Sequence, residues 1–205
     1  IGKPLVDKLK EFNDPRLEHY AEPNLDGEYV GIEIGADSNV GISKIDPQFV
    51  DNDAGSVYFM KLCEIELIKA EAIVRGFISG SAQDAYQAGI TASLSEYDIA
   101  TDTINQYLTE DGVAWNNDLN QIYIQKWLSF IHQSWEAWAE MRRTDVPLLP
   151  LAINTNVSGH NRVPFRFNYP SKTKSNNGQN IPDYVNEDDF YWGYQIWWDT
   201  RTGVQ

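Results

Sequence analysis

Apolar and polar positions follow a helical period over 117–143, NDLNQIYIQKWLSFIHQSWEAWAEMRR. At about 100° per residue, one side collects Leu119, Ile122, Tyr123, Trp127, Phe130, Ile131, Ser134, Trp138 and Met141. The other side collects Gln121, Gln125, His132, Glu136, Glu140 and Arg143. The pattern predicts one long amphipathic helix that ends before Pro147, because the residue before a proline disfavours helical geometry. A covered aromatic side chain buries roughly 150–250 Å², so we expect other helices to cover Trp127, Trp135 and Trp138.

A second helical pattern covers 58–77, and Gly76 and Gly80 bracket its end. Its apolar side collects Phe59, Leu62, Cys63, Leu67, Ala70, Ile73, Val74 and Phe77. We expect that side to face the core.

A third helix is predicted from Ser81, whose hydroxyl suits the N-cap position, to about Tyr97. Ala85, Gly89 and Ser93 recur every four residues in it, so a neighbouring helix can approach closely through that row. The second and third helices together span close to the ~34 residues of a tetratricopeptide unit. A short fourth helix is predicted over 101–110, before an Asp-Gly turn.

The two ends of the chain have a different character. Residues 1–57 are rich in Gly, Pro, Asp and Asn, and predict loops apart from a short helix over 4–11 and a strand over 29–34. In the Asn-Asp-Pro sequence there, Asp14 is expected to bond nearby backbone within a turn. Beyond Arg143, helical periodicity gives way to Pro, Asn and Gly with many aromatic residues, too many for a disordered tail.

These elements predict a mainly α-helical domain of tetratricopeptide-like hairpins with a long, loop-rich, aromatic carboxyl-terminal segment. We expect 1–205 to form a single domain, with loop-rich entry 1–57, helical core 58–143, and aromatic loops 144–205 packed on that core.

The charge balance excludes several classes of partner. A formal charge of −14 opposes binding to phosphate backbones, whose affinity comes largely from Lys and Arg.

No apolar run approaches the ~20 residues that span a bilayer. Cys63 is the single cysteine, which excludes an internal disulfide, and its apolar neighbours predict a buried, inert thiol.

The residues offer little for catalysis or metal binding. Glu136 and Glu140 lie one helical turn apart and point the same way, so they would not flank a glycosidic bond. His19, His132 and His160 lack metal-site spacing. The acidic residues at 46, 51 and 53 lack the pattern of a calcium loop and favour a solvated surface. We therefore expect no catalytic residue, no metal site and no cofactor.

Four charged residues predict an ion pair across the helix bundle. Helical projection places Glu66 on the side that should be buried, and a buried carboxylate needs a partner. We expect Glu66 or Glu71 to meet Arg142 or Arg143 in a structural ion pair.

Aromatic residues beside amides or acids are the candidates for ligand binding. Flat rings cover the apolar faces of sugars while nearby polar groups bond the hydroxyls. The candidates are Trp115 with Asn116 and Asn117, and Tyr191 with Trp192 beside two aspartates. Packing in the core is the alternative for each of these rings.

Several short motifs occur along the chain in a distinctive order. They are Asn13-Asp14-Pro15-Arg16-Leu17 with Tyr20; Ala70-Glu71-Ala72 with Tyr86, Gly89-Ile90 and Ala92-Ser93; Gln125-Lys126-Trp127; Glu136-Ala137-Trp138-Ala139-Glu140; Arg142-Arg143-Thr144 with Pro147; Arg162 to Pro170; Asn176 to Asn180; and Trp197-Trp198-Asp199. Their order and spacing resemble those of the SusD/RagB family of Bacteroidetes. The resemblance runs from about residue 14 to 199 and fits the later part of a SusD-like chain.

The resemblance implies a non-catalytic outer-membrane lipoprotein at the cell surface, anchored through an amino-terminal Cys that this sequence lacks. Such a protein captures oligosaccharides or other nutrients and delivers them to a SusC-like TonB-dependent transporter. Two alternatives remain open on the residues alone: a cytosolic helical-repeat scaffold that binds proteins, and a glycoside hydrolase.

Overall fold

A computed structural model describes residues 1–38, 40–153, 169–182, 195 and 197–199. Contacts between Cα atoms divide the chain into two compact units, Ile1–Leu148 and Leu149–Gln205. The packing of 144–205 on the helical core stays a prediction.

The described residues are mainly α-helical, which confirms the predicted fold class. In the first unit the helices are α1 (Lys3–Glu11), α2 (Leu17–Tyr20), α3 (Leu62–Val74), α4 (Ala82–Ser95), α5 (Thr101–Tyr107), α6 (Leu119–Ser129) and α7 (Ser134–Thr144). In the second unit, α8 (Ser171–Asn177) precedes a 3-10 turn over Gly178–Asn180. A second 3-10 turn covers Pro47–Phe49. No helix in the described parts is both long and apolar enough to cross a membrane.

The strands are short and differ from the predicted one. β1 (Ala21–Glu22) pairs antiparallel with β2 (Lys44–Ile45). The predicted strand over 29–34 is wrong: one parallel bridge joins Ile32 to Gly2, and the remaining residues of that stretch are loop. A β-branched pattern of six residues does not make a strand without a neighbouring strand to complete its hydrogen bonds.

α3 and α4 form the predicted helical hairpin. The Ser81 hydroxyl accepts a hydrogen bond from the Asp84 backbone N–H at 3.1 Å, so the predicted N-cap of α4 is confirmed. A Cβ atom on Gly89 would lie 2.6 Å from Cγ of Leu67, so the two helices touch where α4 has no side chain. The small-residue row in α4 therefore sets the distance between the helices.

The predicted long helix over 117–143 is wrong, because α6 and α7 are separate helices. The Ser129 hydroxyl donates to the Lys126 carbonyl at 2.7 Å, a local bond that competes with a continuing helix. In one continuous helix, residues 126 and 140 would lie about 21 Å apart along the axis. The turn after α6 instead brings Lys126 Nζ to 3.0 Å from the Glu140 carboxylate.

The break also changes which side chains are covered. Gln121, Gln125 and Glu140, predicted on the polar face, are buried. Trp135 is 75% exposed, against the expectation that it is covered, whereas Trp127 and Trp138 are half-buried. One helical projection over 27 residues fails because the two helices present different faces to the core.

α3 is shorter than predicted at both ends. Phe59 is 98% exposed and Phe77 is 76% exposed, because both lie outside the helix and away from its packed side. Leu62, at the first helical position, is also exposed. Cys63, Leu67 and Ala70, also predicted on the apolar side, do form the packed side of α3 and are fully buried.

The core of the first unit lies between α1, the hairpin, α5 and α6. Its fully covered side chains include Val6, Leu9, Tyr20, Leu67, Tyr86, Ile90, Leu94, Tyr107, Ile122 and Leu128. Tyrosines in this core direct their hydroxyls to backbone carbonyls: Tyr20 donates to Leu128 at 3.0 Å and Tyr86 to Val113 at 2.9 Å. Burial raises the pKa of both tyrosines, so both remain protonated donors.

Candidate functional site

A network of charged side chains joins α3 to α7. The Arg143 guanidinium donates from Nη1 and Nη2 to the two carboxylate oxygens of Glu71, each at 2.7 Å. Arg75, one turn along α3, donates from Nε to the same carboxylate at 2.8 Å and from Nη2 to the Tyr123 hydroxyl at 2.7 Å. The structure thus brings together Glu71 and Arg143, two of the four residues considered for an ion pair.

The network continues from α7 to α6. Arg143 also donates to the Glu140 carboxylate, at 2.6 Å from Nη2 and 3.2 Å from Nε. Glu140 in turn pairs with Lys126, whose side chain is 5% exposed. Each buried charge therefore has an opposite charge and hydrogen bonds, which is the condition under which such charges are tolerated.

The other two residues of the predicted ion pair lie elsewhere. Glu66 pairs with Lys69 on the surface of α3 at 2.9 Å. Arg142 is buried, and its guanidinium carbon lies 5.0 Å from the centre of the Trp138 ring. Glu66 does not join the Glu71 network, because position 66 is on another side of α3.

The Glu71 pair predicts a pH-dependent contribution to stability. Burial opposes ionisation, but hydrogen bonds from Arg143 and Arg75 outweigh it and lower the pKa of Glu71 from 4.5 to about 2. The contribution is present above pH 4.5 and is lost as the pH falls towards 2. We expect Glu71→Gln to lower the free energy of unfolding at pH 7 by roughly 1.5–3 kcal/mol, the value of a hydrogen bond to a charged group.

Urea unfolding of both proteins between pH 7 and pH 2.5 measures this difference. The gap between wild type and Glu71→Gln should narrow across pH 4.5 to 2.5. Glu66→Gln is the matched control, since its exposed pair with Lys69 contributes at most about 1 kcal/mol. If the difference in unfolding free energy between wild type and Glu71→Gln does not change with pH, the ion pair does not lower the pKa of Glu71 as the structure indicates.

An open pocket lies beside this network, and we call it the α3–α7 pocket. Its volume is about 590 Å³, within the range of roughly 300–1,000 Å³ typical of ligand sites. From α3 and the turn after it come Glu64, Ile68, Glu71, Ala72, Arg75 and Phe77. From α6 comes Lys126, and from α7 come Glu140 and Arg143. The pocket therefore combines an apolar strip with charged groups held in place by their mutual bonds.

A second network is fully buried, and the sequence did not indicate it. Arg16 has no exposed surface, and its guanidinium donates to Asp14 at 2.9 and 2.5 Å, to Ser93 at 3.0 Å, and to Gln125 at 2.9 Å. The Tyr107 hydroxyl donates to Asp14 at 2.5 Å. Burial opposes the charge of Arg16, but Asp14 and Tyr107 outweigh it and raise the pKa of the guanidinium. The network ties the segment before α2 to α4, α5 and α6.

The turn predicted at Asp14 is confirmed, but it is part of this larger arrangement. The Asp14 carboxylate accepts the Arg16 backbone N–H at 2.9 Å, as an Asx turn requires. The same carboxylate binds the guanidinium two residues on. The sequence signal for this network is an arginine two residues after a turn aspartate. The same two residues also occur as a solvent-exposed ion pair, so the local sequence does not predict that this pair is buried.

Trp115 and Asn117 lie on the loop between α5 and α6. The Trp115 ring is half-buried, with its centre 4.9 Å from that of Tyr86, so part of it belongs to the core. Asn117 is exposed, in a left-handed conformation at φ 65°. The Gln121 amide holds this loop by donating to the Ala114 carbonyl at 2.8 Å and accepting the Asn116 N–H at 3.0 Å. Tyr191 and Trp192 lie outside the described residues.

Histidines and the cysteine contribute no reactive cluster among the described residues. His132 is largely exposed, with its ring centre 4.4 Å from that of Phe49, and partial burial together with Lys61 lowers its pKa. His19 is half-buried, and His160 lies outside the described residues. Cys63 is buried as expected, and burial raises the pKa of its thiol. The described residues hold no group of three or more metal-ligating side chains.

Glu136 and Glu140, the carboxylates considered for glycosidic chemistry, have separate environments. Glu136 is exposed in the first turn of α7. Glu140 is buried and bonded to Lys126 and Arg143. Both oxygens of the Glu140 carboxylate are bonded to these cations, so neither is free to reach the leaving group of a substrate.

Comparison with protein families identifies the chain. Residues 1–170 match the profile of a SusD-like family described as starch-binding and associating with the outer membrane. The chain belongs to this family. No curated protein matches the sequence.

Solved structures share the fold. A SusD homologue from Bacteroides fragilis is 25% identical, with a TM-score of 0.75, and the alignment covers 96% of this chain and 50% of the other. A SusD-like protein from Bacteroidetes is 21% identical, with a TM-score of 0.77 and coverages of 98% and 53%. A chitin-binding SusD homologue from Flavobacterium johnsoniae is 22% identical, with a TM-score of 0.73 and coverages of 98% and 49%. The chain spans about half the length of these proteins.

Proposed function

We propose that this protein captures oligosaccharides or other nutrients at the bacterial cell surface without modifying them. The match to the SusD-like profile over residues 1–170 carries the proposal. The chitin-binding homologue with the same fold adds support for a carbohydrate ligand. The arrangement of Glu136 and Glu140 also favours binding over hydrolysis, because these carboxylates do not face each other across a cleft.

A binding screen tests the proposal directly. Calorimetric titration of the purified protein with maltohexaose, chitohexaose and xylohexaose should give saturable binding of at least one. Prolonged incubation with the bound polysaccharide should release no new reducing ends. Failure to bind any oligosaccharide in a wider glycan array would contradict the proposed capture, and new reducing ends would contradict its non-catalytic character.

The ligand-binding residues proposed from the sequence are Trp115, Asn117, Tyr191 and Trp192. We expect Trp192→Ala to weaken oligosaccharide binding roughly tenfold, as loss of about 1.4 kcal/mol of ring stacking would. The melting temperature should change little. Trp135→Ala is the matched control, because Trp135 is 75% exposed and is not among the proposed binding residues. A fall in melting temperature without a change in affinity would instead mark Trp192 as a packing residue.

Partner and location are proposals of the same kind. We propose delivery to a SusC-like TonB-dependent transporter and attachment to the outer membrane through an amino-terminal lipidated Cys. The outer-membrane association named for the family supports the location. Affinity purification from outer membranes should recover such a transporter with the protein, and growth with labelled palmitate should label the protein. If no transporter is recovered, the proposed partner is wrong; if no palmitate label appears, the proposed lipid anchor is wrong.

A further inference from the structure

The α3–α7 pocket has the composition of a site for an uncharged, hydroxyl-rich ligand. One side of α3 contributes an apolar strip of Ile68 and Ala72 that leads to the exposed ring of Phe77. Glu64 lies at one end of this strip and Arg75 at the other. An apolar surface with a few fixed polar groups at its edges is the usual form of a small-molecule site.

Two polar groups in the pocket keep bonding capacity. Arg75 uses Nε and Nη2 for Glu71 and Tyr123, and its Nη1 bonds to none of the described residues, while its side chain is 39% exposed. Glu64 makes no hydrogen bond or salt bridge with another described residue. The pocket therefore offers a donor and an acceptor, which is what hydroxyl groups require because each can both donate and accept.

The charges in the pocket argue against an ionic ligand. The network pairs its cations with carboxylates: Arg143 binds both Glu71 and Glu140, and Lys126 binds Glu140. An anionic ligand would meet Glu64 and the field of a chain with net charge −14. A cationic ligand would be attracted by the same field, but it would meet the positive charge of Arg75 at the end of the strip. A neutral ligand avoids both repulsions.

The distance between the free groups indicates a ligand longer than one ring. Glu64 and Arg75 are 11 positions apart in the sequence, and at 1.5 Å per residue they lie about 16 Å apart along α3. A single sugar ring cannot reach both. A short chain of rings can place one ring on Phe77 beside Arg75 and another near Glu64.

We propose that the α3–α7 pocket is a binding site for a neutral oligosaccharide that extends along α3, with one ring stacked on Phe77 and its hydroxyls bonded by Arg75 and Glu64. This assignment rests on the proposed function and adds the place of binding, the charge class and the length of the ligand. It concerns residues other than the aromatic candidates found in the sequence.

Calorimetry with the purified protein tests the site. We expect Phe77→Ala to weaken binding of the neutral hexasaccharide that wild type binds by about tenfold. The melting temperature should hold, because Phe77 is 76% exposed. Phe59→Ala removes another exposed ring, which lies outside the pocket, and should leave affinity unchanged. Glu64→Gln should weaken binding several-fold, whereas Glu66→Gln, on the other side of α3, should not.

Ligand variation tests charge and length. Oligogalacturonate should bind at least tenfold more weakly than the neutral hexasaccharide. The monosaccharide unit of that neutral hexasaccharide should also bind at least tenfold more weakly. If wild type binds a hexasaccharide and Phe77→Ala binds it equally well, the pocket assignment is overturned and the proposed function stands. If oligogalacturonate binds more tightly, and Phe77→Ala weakens that binding, the neutral class is overturned. If no oligosaccharide binds wild type, the proposed function and the site fall together.

Discussion

Replacing Arg16 with Met is expected to lower the free energy of unfolding by about 3–5 kcal/mol, the cost of removing one partner from a buried ion pair. Asp14 is 4% exposed and would lose the guanidinium that pairs with it. Ser93, Tyr107 and Gln125 would lose a shared hydrogen-bond partner. Since small domains have total stabilities of about 5–15 kcal/mol, this loss would be a large fraction of the total. Urea denaturation followed by circular dichroism measures the effect.

Two further variants separate the buried pair from a general effect of removing charge. Lys3→Met breaks the exposed pair with Asp7 on α1, and should change stability far less than Arg16→Met does. Adding Asp14→Asn to Arg16→Met should recover part of the loss, because the unpaired charge disappears while the amide still bonds its neighbours. If Arg16→Met were no more harmful than Lys3→Met, the network would not contribute as its geometry implies.

Gly89→Val is expected to destabilise the protein by about 3 kcal/mol or more. A Cβ atom at this position would lie 2.6 Å from Cγ and 2.9 Å from Cδ2 of Leu67, and 3.2 Å from the Cys63 carbonyl oxygen. Leu67 is fully buried. The hairpin must therefore open, and forced overpacking of this kind is destabilising by several kcal/mol in unfavourable cases. Thermal and urea unfolding report the loss.

Matched changes on the same helix show whether the contact or helix propensity is responsible. Gly89→Ala should also destabilise, although alanine favours helices over glycine by about 1 kcal/mol. Ala88→Val adds a similar side chain at an exposed position and should cost only the propensity difference, below about 1 kcal/mol. Stabilisation by Gly89→Ala would show that α3 and α4 are farther apart than the structure has them.

Gly89 and Arg16 lie outside the α3–α7 pocket, but both hold helices that form its wall. Gly89 sets the distance of α4 from α3, and α3 supplies most of the pocket wall. Arg16 bonds Gln125, which neighbours Lys126 on α6. A pocket whose charged groups are held by ion pairs on three packed helices is arranged before the ligand arrives, so less ordering is needed on binding.

The sequence by itself determined the features that depend on residues close together in the chain. The N-cap at Ser81 and the turn at Asp14 follow from interactions within a few residues, and both are present. The small-residue row with Gly89 can be recognised in the sequence, although the contact it allows is with Leu67 on another helix. The mainly α-helical class follows in the same way from periodicity. The order of motifs also gave the family, because it depends on the sequence alone.

Tertiary structure decided what depends on distant partners. The break between α6 and α7 allows Glu140 to reach Lys126, and Gln125 is buried because Arg16, more than 100 positions earlier, needs an acceptor. Helical projection assigns such polar residues to the solvent side, since it counts hydrophobicity and ignores pairing. Trp135 remained exposed for the converse reason: no neighbour among the described residues covers it. Periodicity along the chain determines which segments form helices, while hydrogen bonds and ion pairs between segments determine where each helix ends and which polar groups are buried.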